Sequence, residues 1–211
     1  MSSEDAGIEA ARERMDGLEV PDCMQCPALV ESRQQIVGGT GPEDAALLFV
    51  GEGPGAQEDR QGEPFVGRSG TVLDEGLRAV SLEREAVRIT NCVRCRPPEN
   101  RDPTKAELAN CRGHLEVELD RVDPAVVVTL GKVPSEHLLG RAVAVTKEAG
   151  TVEEVRLGGV PRRVLICLHP AATLYDRSQR GTFEETLETA AALAGVSSEK
   201  TDGGQSRLGE F

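Results

Sequence analysis

Six cysteines, a glycine-rich acidic loop, one asparagine at a strand end and one histidine before a proline are the residues of this 211-residue chain whose types and spacing could do chemistry. Cys23 and Cys26 form a C-x2-C pair, Cys92 and Cys95 a second, Cys111 follows, and Cys167 stands alone. The spacing reads as metal ligands or thiols before disulfides. The stretch 51-GEGPGAQEDRQGEPFVG-67 packs five glycines and two prolines around four acidic residues and one phenylalanine. It lacks the order of a P-loop, and its opening breaks the dinucleotide G-x-G-x-x-G pattern and carries a proline. Gly53 and Gly55 would let backbone approach a flat ligand closely, while Glu52 and Glu58 suit a base or a water better than a phosphate. Asn91 and His169 each follow an apolar run, where a side chain can meet a ligand.

Placing these residues requires a scaffold. Apolar runs over 45–50, 87–93, 125–130 and 162–168 read as strands, and 152–157 reads as an edge strand. Helices are expected over 3–16, 27–35, 69–80 with Ser69 as its cap, 131–140 and 181–194. Thr104 with Glu107 makes a capping box for another helix running to about Arg121. Strands separated by helices imply an α/β fold with a mostly parallel sheet covered on both faces. Ligands of such sheets bind beyond the carboxyl ends of the strands. The GEGPG loop, Asn91, Gly131 with Lys132, and 169-HPAA-172 all fall there.

The formal net charge is -12, which alone argues against a nucleic-acid partner, because affinity for DNA comes largely from neutralising phosphates. Half of that excess lies at the ends: residues 1 to 22 hold seven acids against Arg12 and Arg14, and residues 195 to 211 hold three acids against two bases. Only Lys105, Lys132, Lys147 and Lys200 are lysines among 24 basic residues. An acidic, lysine-poor surface suggests a cytoplasm at high salt. No eighteen-residue apolar span occurs and the first residues are charged, so a soluble cytoplasmic monomer with no membrane partner is expected. The organisation expected is an acidic segment over 1–22, one domain over 23–195, and a disordered polar tail over 196–211.

The set GEGPG-x-x-ED-x-x-GEPFVG-x-SG-x-x-LD, then ITN-x-V-x-CRPP-x-NR-x-PT-x-x-E, then HPAA closely resembles the family 4 uracil-DNA glycosylases, iron-sulfur enzymes of bacteria and archaea, and the charge pattern points to a halophilic archaeon. The resemblance runs from about Cys23 to residue 194. It implies a three-layer αβα sandwich around a mostly parallel four-stranded sheet, and removal of uracil from single- or double-stranded DNA in base excision repair. It assigns Cys23, Cys26, Cys95 and Cys111 to a 4Fe-4S cluster. A structural zinc site with the same four ligands stays open on spacing alone. Cys92 and Cys167 read as small buried residues.

By the same resemblance Phe65 stacks on the flipped base, Asn91 reads uracil N3–H and O4, and His169 lies near O2, where charge develops as the bond breaks. Gly53, expected against the base, stands where glycosylases of the wider superfamily carry a water-orienting aspartate. Glu52 and Glu58 are the nearest candidate catalytic carboxylates, and the resemblance places both at uracil, with Glu58 at the pocket edge that rejects thymine's methyl. A dissociative transition state that needs only a weakly positioned water is the alternative. Arg94, Arg96 and Arg101 are expected on DNA, with Leu174 as the wedge and Arg177 or Arg180 on phosphate. His114 and His137 match no family motif and read as structural. A glycosylase of broader base specificity, and a non-catalytic iron-sulfur binding or redox protein, are the competing functions. A sliding clamp or repair partner is not readable from the sequence.

Overall fold

Runs of valine, leucine and isoleucine without alternation form strands buried on both faces, and here they do so in one sheet. The computed structural model describes residues 3–196. In chain order its helices are α1 (Ser3–Arg12), α2 (Pro27–Ser32), α3 (Ala56–Gln61), α4 (Arg68–Ala79), α5 (Lys105–Val122), α6 (Lys132–Leu139), α7 (Val145–Glu148), α8 (Ala172–Tyr175) and α9 (Gln179–Ala194). The strands are β1 (Leu47–Gly51), β2 (Arg88–Asn91), β3 (Val126–Leu130), β4 (Val152–Leu157) and β5 (Val160–Cys167).

The sheet order is β2-β1-β3-β5-β4. Strands β2, β1, β3 and β5 run parallel, and β4 closes the edge antiparallel to β5. The sheet therefore has five strands where the family resemblance implied four. The fifth is the edge strand expected over 152–157, and its half-buried Glu153 and exposed Glu154 and Arg156 keep that edge charged. Leu47 and Phe49 of β1 face Leu73, Leu77, Phe183 and Leu187 of α4 and α9. Leu48 and Val50 face Leu115 and Leu119 of α5 and Leu138 of α6. These are the two outer layers of an αβα sandwich. Outside them, Ile8 and Ala11 of α1 pack on Val117 of α5.

Local sequence accounts for most boundaries. The Thr104 side chain accepts from the Glu107 amide at 3.2 Å, and Glu107 accepts from the Thr104 amide at 2.7 Å, so the capping box starts α5 where expected. Some details differ, among them α2, which ends at Ser32 and not at residue 35. Helix α4 is capped by Gly67, and Ser69 lies inside its first turn. The glycine-rich stretch is not all loop, because α3 begins at Ala56, where Glu58 reaches back to the Gly55 amide. Helix α1 ends at Arg12, short of residue 16. The tail expected to be disordered lies, from residue 197 on, outside the described residues.

Candidate functional site

Strand order reverses direction between β1 and β3, and ligands of parallel sheets sit at that crevice. Gly51 ends β1 and pairs in register with Asn91, which ends β2. A Cβ on Gly51 would run into Asn91 Oδ1 and the Phe65 ring, so glycine here allows both side chains to close over the strand end. Phe65 is held with φ +54°, a left-handed conformation, and its ring centroid lies 6.0 Å from that of His169 at an interplanar angle of 34°. Gly131, at φ +106°, supports the other side of His169 from the end of β3. Asn91, Phe65 and His169 thus come from β2, the glycine-rich segment and the end of β5 to one place.

The imidazole of His169 has a defined tautomer. The Ala171 amide donates to Nδ1 at 3.1 Å, so Nδ1 carries the lone pair and Nε2 carries the proton. Burial pushes its pKa down, which keeps the ring neutral. A neutral N–H donor results, suited to an oxygen that gains negative charge.

The two carboxylates differ. Glu58 accepts from the amides of Gly55 at 3.1 Å, Val66 at 3.1 Å and Gly67 at 2.9 Å, so both its oxygens hold the loop that carries Phe65. Its carboxylate braces the loop that borders the strand end. Glu52 makes no side-chain hydrogen bond among the described residues. Burial, with a smaller contribution from Asp102, pushes its pKa up to about 7. Gly53 packs against Val93 and leaves no side chain at the position of a superfamily aspartate.

Cys23, Cys26, Cys95 and Cys111 line one small cavity together with Arg33 and Arg94. Donors face their sulfurs: Arg33 Nη1 lies 3.0 Å from Cys95 Sγ, Asn110 Nδ2 3.5 Å from Cys26 Sγ, and Gln25 Nε2 3.6 Å from Cys23 Sγ. Burial raises the pKa of Cys26 and Cys95 and brings Cys111 up to about 12. Among the described residues no three His, Cys, Asp or Glu side chains gather as a single metal ion requires. Four thiols lining one cavity, each a soft ligand, are a donor set that suits an iron-sulfur cluster and equally a structural zinc ion. Cys92 and Cys167 are buried in the two sheet cores, and burial raises their pKa.

The arginines expected on DNA separate into two kinds. Arg94 is a correction: it is 1% exposed, its Nη2 lies 2.6 Å from Glu118 Oε2, and it cannot reach a phosphate. The same carboxylate takes Arg88 Nε at 2.6 Å. Arg96 and Arg101 stay at the surface, the first bonded to Asn100 and the second forked onto Glu107 at 2.7 and 2.8 Å. Past His169, Leu174 is 40% and Tyr175 89% exposed. Arg177 is exposed and forms no ion pair among the described residues, whereas Arg180 pairs with Glu184 at 2.8 Å. Sequence reasoning missed Arg33, Asp59 and Glu118. Only the placing of Asp59 beside Glu58 hinted at a role.

Residues 39–192, most of the chain, match the Uracil DNA glycosylase superfamily. The chain belongs to that superfamily. Within it, the type-4 uracil-DNA glycosylase of Thermotoga maritima is 42% identical over 177 residues, covering 82% of this chain and 90% of that protein. The type-4 uracil-DNA glycosylase of Archaeoglobus fulgidus is 38% identical over 181 residues, covering 84% and 90%. A type-5 uracil-DNA glycosylase of Thermus thermophilus is 32% identical over 209 residues, covering 82% and 94%. The superfamily match begins at residue 39, downstream of Cys23 and Cys26, and the type-4 relatives show the higher identities.

Proposed function

We propose that the chain is a uracil-DNA glycosylase of the type-4 kind, hydrolysing the bond between uracil and deoxyribose in DNA and leaving an abasic site. The observation that carries the reading is the meeting of Asn91 and Phe65 over Gly51, with the His169 ring beside that of Phe65. A base in duplex DNA is out of reach of such a site, so it must leave the stack, and Phe65 gives it a face to rest on. Asn91 can accept from N3–H and donate to O4, a pattern that cytosine reverses at both atoms. As the glycosidic bond breaks, its electron pair goes to the uracil ring and the Nε2–H of His169 meets the charge on O2. Glu52, with its raised pKa and no side-chain partner among the described residues, is the carboxylate available to take a proton from the attacking water. Leu174 and Tyr175 enter the gap, while Arg96 and Arg177 hold phosphate.

Cys23, Cys26, Cys95 and Cys111 would hold a 4Fe-4S cluster. Bound there, the cluster supplies a cross-link between the N-terminal segment, the loop after β2 and α5. Six free cysteines fit a reducing, cytoplasmic setting. The lysine-poor, acidic composition supports work at high salt, as in a halophile.

Single-turnover release of uracil tests the site. Asn91→Ala and His169→Ala should each slow it at least about a hundredfold, the size of effect that follows loss of a preorganised donor. Full rate in either variant would remove that residue from the mechanism.

A further inference from the structure

The cysteine cavity and the base pocket are joined by one short segment of chain. At one end, Arg33 donates from Nη1 to Cys95 Sγ at 3.0 Å. The next two residues donate their amides to a single carboxylate oxygen, Gln34 at 2.9 Å and Gln35 at 3.3 Å to Asp59 Oδ1. The Gln35 side chain adds bonds to the carbonyls of Asp59 at 3.0 Å and Arg60 at 3.1 Å, which fastens it along α3. Asp59 is fully buried, and its neighbour in α3 is Glu58, whose carboxylate takes the amides of Gly55, Val66 and Gly67 on either side of Phe65. Buried polar networks of this kind hold one geometry well, because each broken bond leaves an unsatisfied group in low dielectric.

We propose that Arg33–Gln35 is a strap through which occupancy of the cysteine site sets the order of the uracil-binding loop, with Asp59 as its anchor. This rests on the reading that the four cysteines hold a cluster. A cluster fixes Cys95, Cys95 fixes Arg33, and the two amides that follow fix α3 and the loop around Phe65. Arg33 and Asp59 are positioning residues: neither touches uracil. Disturbing them should act on how firmly the base is held, raising KM, with little change in kcat.

Hydrogen exchange across residues 52–67 of the full-length, cluster-loaded protein tests the strap, with visible absorbance reporting the cluster. Chelating the iron from the wild type, or introducing Arg33→Met, should speed exchange at the Gly55, Val66 and Gly67 amides about tenfold. Asp59→Ala should do the same with the absorbance intact, and Asp59→Asn, which keeps the accepting oxygen, should restore most of the protection. If Asp59→Ala does not fold, Gln35→Ala removes only the side-chain bonds to α3 and should give a smaller rise of the same kind. Unchanged loop exchange after iron removal, or in the folded Asp59→Ala or Gln35→Ala protein, would overturn the strap. Wild-type protein without iron and sulfide, or without uracil release, would instead overturn the cofactor or the activity on which it rests.

Discussion

At the residue scale, the acid-base groups of the site make the sharpest demands. Glu52 has its pKa raised to about 7, so its carboxylate form dominates only above that pH. Burial pushes the pKa of His169 below the ordinary imidazole value, so its ring is neutral at pH 7 and above. The rate should therefore rise with pH through about 7, and Glu52→Gln should be slower with that limb gone. An unchanged limb in Glu52→Gln would take the base role from it. Tyr175 offers a second test, because it is the only tyrosine in a chain without tryptophan. Its emission should be quenched as it meets DNA bases, and binding seen by anisotropy with unchanged emission would leave it outside the interface. That Asn91 and His169 lie at the carboxyl ends of strands was legible from the apolar runs before them, whereas their roles toward uracil came from the family resemblance alone. Arg94 was misread because an arginine among arginines and prolines looks like surface, and only the fold places Glu118 against it.

At the element scale, β2 is tied to α5 by a buried carboxylate between two guanidiniums, Arg88 and Arg94. Removing the carboxylate leaves two buried charges uncompensated, a change that costs about 3–5 kcal/mol. Glu118→Ala should lower unfolding free energy by that amount in denaturant titration, and a loss below about 1 kcal/mol would show that the pair is relieved some other way. Capping chemistry made α5 readable, since Thr104 and Glu107 meet within one turn. Helix α3 was not readable for the opposite reason: glycine and proline surround it, and what caps it is Glu58 reaching back to the Gly55 amide, a contact that spacing alone does not reveal.

For the whole molecule, a protein with a formal net charge of -12 must bind DNA against its own overall charge. On a single strand each phosphate neutralised contributes about 0.7 to the slope of log affinity against log salt. Arg177→Ala should weaken binding to single-stranded DNA and reduce that slope by about one such increment, and an unchanged slope would place Arg177 away from the backbone. The α/β class was legible from apolar strands spaced by helices. The antiparallel seat of β4 against β5 depends on pairing between segments and became visible only in the fold. The central claim is that this sheet carries a uracil-specific pocket. Alkali-sensitive cleavage of a labelled single-stranded oligonucleotide tests it most directly, with one uracil, thymine or hypoxanthine, at low and at molar potassium chloride. Cleavage at uracil alone, persisting in molar salt, is the result predicted. No cleavage at either salt by protein whose absorbance shows the cluster, or equal cleavage at all three bases, would contradict it.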